Sequence, residues 1–88
     1  MSPEQYANEV ADNLKLAART GNRSHIEKCF NDADFTIRAL SENEKNTFWQ
    51  TTRNKFNSPQ LLLKEQSNEH AIKLIQIIND FFNTRTPK

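Results

Sequence analysis

A chain of 88 residues with 35% hydrophobic and 26% charged side chains, and a mean hydropathy of −0.86, has the make-up of one small globular domain over residues 1–88. Its formal net charge of +1 and isoelectric point near 7.9 fall short of the basic footprint of a nucleic-acid binder. Every apolar run is far shorter than the roughly 20 residues that span a bilayer, so no membrane insertion is expected.

Gly21 is the only glycine. Phosphate-cradling loops and dinucleotide fingerprints need several, and tight hairpins want Asn-Gly, Asp-Gly or Gly-X, so nucleotide-binding and all-β folds are excluded. Cys29 is the only cysteine and cannot form an internal disulfide, which suits a reducing compartment. The start Met1-Ser2-Pro3-Glu4-Gln5 lacks the basic and apolar regions of a signal peptide, and a cytoplasmic location is expected. Charge is uneven. Residues 1–44 hold five basic and eight acidic side chains, a net of −3, whereas residues 45–88 hold seven and three, a net of +4. The eleven asparagines and the many Lys and Ile residues echo an AT-rich genome and are compatible with a phage or mobile-element origin.

Helix starts are the clearest local signal. Ser2, Ser24 and Ser41 each stand three residues ahead of a Gln or Glu, at Gln5, Glu27 and Glu44. In such a capping box the serine hydroxyl accepts from the N3 amide while the N3 side chain reaches back to the cap amide. The first helix is expected over 3–20, with Tyr6, Val10, Leu14 and Ala17 as its apolar stripe, widened by Ala7, Ala11 and Ala18. Gly21 provides its left-handed C-terminal stop. The second helix is expected over 24–40 on Ile26, Phe30, Ala33, Ile37 and Leu40, with Phe35 off the stripe and therefore either packed on another helix or exposed. The third, over 42–57, is the most polar: Phe48, Thr52 and Phe56 form a narrow stripe flanked by Trp49.

Ser58-Pro59 signals a fourth start, since proline suits the first helical position. A short helix over 59–66 should follow, with a break near Ser67 favoured over one continuous helix from 59 to 83. The last helix, over 68–83, differs in kind. Ala71, Ile72, Leu74, Ile75, Ile77, Ile78, Phe81 and Phe82 cover an arc of about 220° at 100° per residue, twice that of an ordinary surface helix. It is either the centre of the bundle or half of a subunit interface. The fold expected is all-α, a bundle of four to five antiparallel helices.

Catalytic signals are weak. His25 and Cys29 lie four residues apart with Asp32 three further on, a spacing that can share a metal, but a structural zinc site wants four ligands. A small buried Cys29 beside Ile26 and Phe30 explains the pattern without metal, and no motif surrounds a Cys–His nucleophile. The acid pairs Asp32/Asp34 and Glu42/Glu44 are spaced two apart, so on a helix they diverge. No enzyme, cofactor or metal is expected.

The remaining expectation is a binding protein: a small cytoplasmic regulator, inhibitor or adaptor acting on another protein. Trp49 is most simply a core residue, but an aromatic beside Phe48 on a polar helix is also a typical interface anchor. Trp49, Gln50, Arg53 and Asn54 are the partner-binding candidates. The arc of the last helix makes a homodimer the expected state, with Ile72, Ile77, Phe81 and Phe82 at its interface. The alternative is a helix-turn-helix DNA binder reading with helix 42–57, where Gln50, Arg53, Asn54 and Lys55 have suitable side chains. Against it stand Glu42 and Glu44 at the end that would approach DNA.

Overall fold

The ends of the helices are set by side chains that satisfy otherwise unpaired backbone groups. The computed structural model describes residues 2–20, 22–57 and 69–86, and within them the chain forms α1 (Pro3–Thr20), α2 (Arg23–Thr36), α3 (Glu42–Phe56) and α4 (Glu69–Arg85), with no strand among the described residues. At α1 the Gln5 amide donates to Ser2 Oγ at 3.2 Å and the Ser2 amide donates to Gln5 Oε1 at 3.1 Å. At α3 the same reciprocal pair joins Ser41 and Glu44, at 3.2 and 3.1 Å. The Ser41 amide first, and its hydroxyl second, hold the Glu44 carboxyl below its ordinary pKa.

The expected Ser24 cap is not formed. Asn22 is the N-cap of α2, with extended backbone (φ −131°, ψ 111°) and a side chain that accepts from the His25 amide at 3.2 Å. Asparagine caps as well as serine does, and placing it first puts Ser24 inside the helix. Glu27, no longer at N3, pairs instead with Arg23 one turn back at 3.2 Å.

Helix α2 also ends earlier than the expected residue 40. The apolar rhythm continues through Ile37 and Leu40, but it is delivered by a turn in which the Leu40 amide donates to the Ile37 carbonyl at 3.0 Å. The Phe35 carbonyl accepts from the Arg38 amide at 3.3 Å and from Arg38 Nη1 at 2.7 Å, which satisfies a helix-end acceptor. Ser41 then needs extended backbone (φ −66°, ψ 164°) to cap α3, which a continued α2 would forbid. The Gly21 stop, the Ser58-Pro59 start, the 59–66 helix and the break near Ser67 lie outside the described residues.

The four stripes meet in one core. Helix α1 buries Ala7, Val10, Ala11, Leu14, Ala17 and Ala18; α2 and its turn bury Ile26, Phe30, Ala33 and Ile37; α3 buries Phe48, Trp49, Thr52 and Phe56. Thr52 is tolerated because its hydroxyl donates to the Phe48 carbonyl at 2.7 Å. Helix α4 touches all three others. Its central line, Ala71, Leu74, Ile78 and Phe82, is buried, while Ile75, Ile77 and Phe81 are half-buried against the same core. Much of its wide apolar arc is thus used within the chain, because three helices meet it. The radius of gyration, 12.5 Å, matches the about 12 Å of a compact chain of this length.

Replacement of either true cap should cost stability where replacement of the false one does not. Asn22→Ala and Ser41→Ala are each expected to destabilise by about 0.5–2 kcal/mol, and Ser24→Ala to stay within about 0.5 kcal/mol of wild type. Thermal melts of the three variants check this, and a Ser24→Ala loss equal to that of Asn22→Ala would restore the other register.

Candidate functional site

Trp49 lies inside the molecule, 3% exposed, in a cluster that joins three helices. Phe30 of α2 stacks on Trp49 of α3 at 5.4 Å between centroids and on Phe81 of α4 at 4.9 Å, and meets Phe82 edge-on at 5.2 Å. Arg85 closes the cluster. Its guanidinium sits 5.0 Å from the Phe30 centroid, 5.5 Å from Trp49 and 5.6 Å from Phe81. The same group forks onto Asp34, with Nη2 at 2.7 Å from Oδ2 and Nε at 3.1 Å from Oδ1. A second long-range tie joins α3 to α4, where the amides of Asn57 and Asn79 exchange hydrogen bonds of 2.9 and 3.3 Å.

This arrangement separates the residues expected to bind a partner. Trp49 belongs to the core and cannot serve as a surface anchor in this state. Gln50 and Asn54 are exposed, whereas Arg53 is half-buried with its Nη1 turned toward Thr86 Oγ1 at 3.5 Å. The four therefore do not form one surface. The subunit-interface candidates divide as well: Phe82 is fully buried and so not available to a two-fold contact, while Ile72, Ile77 and Phe81, the last with one face stacked on Phe30, are half-buried. The period alone could not say which edge of the arc the other helices would cover.

The His25–Cys29–Asp32 trio borders a cleft of about 350 Å³ between α1 and α2 that Glu9 and Lys28 also line. Among the described residues no group of three or more His, Cys, Asp or Glu side chains is arranged to hold a metal ion. Burial, and then the charge of Asp32, pushes the Cys29 thiol above its ordinary pKa, with Lys28 pulling the other way. A nucleophilic cysteine needs the opposite shift.

The surface of most interest lies where α2 turns into α3. Phe35, at 65%, is the most exposed large hydrophobic residue among those described. The Arg38 guanidinium lies over its ring, 3.9 Å from the centroid. The next residue, Thr36, lines a groove of about 180 Å³ together with Pro3, Tyr6, Ile37 and Leu40. Beyond Ser2 and Pro3, which border both, a larger groove of about 690 Å³ runs between the first turns of α1 and α3. Sequence pattern placed Phe35 off its stripe, which was the signal for this surface; Arg38 and the grooves gave none.

No protein-family model, curated protein or solved structure matches this chain. Among the described residues, no helix is long and apolar enough to cross a membrane.

The Arg85 clasp makes a specific prediction. Lysine would retain the charge but lose both the fork onto Asp34 and the flat face over the rings. Arg85→Lys should therefore lower the melting temperature more than Asp34→Asn, which removes only the ion pair. Melts showing Arg85→Lys unchanged would mean that the clasp does not close the cluster.

Proposed function

We propose that this chain is a non-enzymatic protein-binding module, an antiparallel helical bundle that works in the cytoplasm as a small regulator, inhibitor or adaptor. The observation that carries this reading is Phe35 under Arg38. Full burial of a Phe side chain is worth about 1.5–3 kcal/mol, and the fold leaves most of that gain unused at this one ring. A single exposed apolar residue is ordinary. This one differs in its setting: a cation is stacked on its face, and the next residue, Thr36, lines a groove with Tyr6, Ile37 and Leu40. Aromatic and arginine side chains beside a pocket are the usual anchors of protein interfaces.

The DNA-binding alternative fits the surface less well. Arg53 is directed at Thr86 instead of outward, and the exposed first turn of α3 presents Glu42 and Glu44. Phosphate attraction supplies most non-specific DNA affinity, and two carboxylates at the approaching end oppose it.

Phe35→Asp should abolish capture of the partner from a lysate of the source cells while leaving helicity and melting temperature close to wild type, because the ring supports no core contact. The same partner retained at equal yield by Phe35→Asp would remove the basis of this reading. Duplex DNA at low salt should show no specific retention. A specific shift that Arg53→Ala with Lys55→Ala abolishes would replace protein binding with DNA binding.

A further inference from the structure

Two capped helix starts lie side by side at one end of the bundle, and the groove between them has a definite chemistry. Pro3, Phe48 and the methyl groups of Thr47 and Thr51 give it apolar surface, and Glu4 and Glu44 give it charge. Phe48 is nearly fully buried and braced from below by Tyr6, whose ring stacks on it at 5.5 Å. Only an edge of Phe48 therefore reaches the groove, beside the exposed Pro3. No lysine or arginine lines the groove; Lys45, next to Glu44 in sequence, does not.

The sign of the local field can be decided by magnitude. Each helix N-terminus contributes roughly half a positive charge, about one in total for α1 and α3. Glu4 and Glu44, the two carboxylates that line the groove, contribute two negative charges. The excess is about one negative charge. Glu44 keeps its charge further into the acid range than an ordinary carboxylate, because Ser41 donates to it.

We propose that this groove receives a basic amphipathic segment of the partner protein, with one apolar side chain on Pro3 and Phe48 and an adjacent lysine or arginine facing Glu4 and Glu44; the proposal rests on the protein-binding reading above. The volume of about 690 Å³ lies within the roughly 300–1,000 Å³ of pockets that enclose a compact ligand. It fits a few side chains, not the whole face of a helix. The smaller groove beside it shares Ser2 and Pro3 and is lined by Thr36, the residue after Phe35.

The test is a display selection of random peptides of about twelve residues on the full chain, followed by fluorescence anisotropy of the most enriched peptide. Enriched peptides should share a leucine or aromatic residue next to lysine or arginine. Glu4→Gln with Glu44→Gln keeps the capping geometry and should weaken binding about tenfold, and higher salt should act in the same direction. Thr47→Arg, at an exposed helical position, should fill the groove and abolish binding without loss of helicity. Enrichment of acidic or uncharged peptides, full binding by Thr47→Arg, or no enrichment at all would overturn the proposal. Peptides that need Phe35 but ignore both groove variants would overturn it too, while leaving protein binding in place; partner capture that ignores Phe35 would overturn that reading instead.

Discussion

Phe30 is the residue on which the rest of the structure depends. It is fully buried on α2, and its ring contacts Trp49 of α3 and both Phe81 and Phe82 of α4. Helix α1 contributes mainly small residues to the same core, Ala7, Ala11, Ala17 and Ala18, which let its neighbours approach closely. In a chain this short the core is small, and aromatic rings supply most of the area that can be buried per residue. Concentrating four of them around one point ties three helices together. Arg85 then covers the rings that reach the surface and fastens α4 to Asp34 of α2.

That arrangement has a consequence. Of the six phenylalanines, Phe30, Phe48, Phe56 and Phe82 are buried and Phe81 is half-buried; Phe35 is left exposed. The single tryptophan is inside as well. The aromatic groups are therefore almost all committed to the chain's own core, and the exception, Phe35, lies one residue before the end of α2. Burial, and then the charge of Asp32, pushes the thiol of the single cysteine above its ordinary pKa.

Much of the fold was legible from residue spacing. Apart from the half-buried Tyr6 and Leu40, the stripes expected for the first three helices are buried, because a period of 3.6 residues directly reports which side chains share a face. Two of the serine caps were legible for the same local reason. The third was not: Asn22 and Ser24 are both good caps, and the local pattern does not rank one above the other. The end of α2 misled because an apolar rhythm can be continued by a turn as well as by a helix.

The surface was harder to read. Trp49 and Arg53 share a polar helix with Gln50 and Asn54, and the period alone could not show that α4 covers that side. The ties between Asn57 and Asn79 and between Asp34 and Arg85 join residues 22 and 51 apart in sequence, and no local pattern announces such pairs. What sequence did show of the surface was Phe35, an apolar residue on the wrong face of its helix.

The account stands on the aromatic cluster being closed within a single chain, with Trp49 inside it. Tryptophan fluorescence tests this directly, since Trp49 is the only reporter. Emission should be blue-shifted, acrylamide should quench it slowly, and neither property should change on dilution or in Phe35→Asp. Emission typical of a water-exposed indole, or a red shift on dilution, would show that the cluster is open or is completed by a second molecule, and would contradict the account.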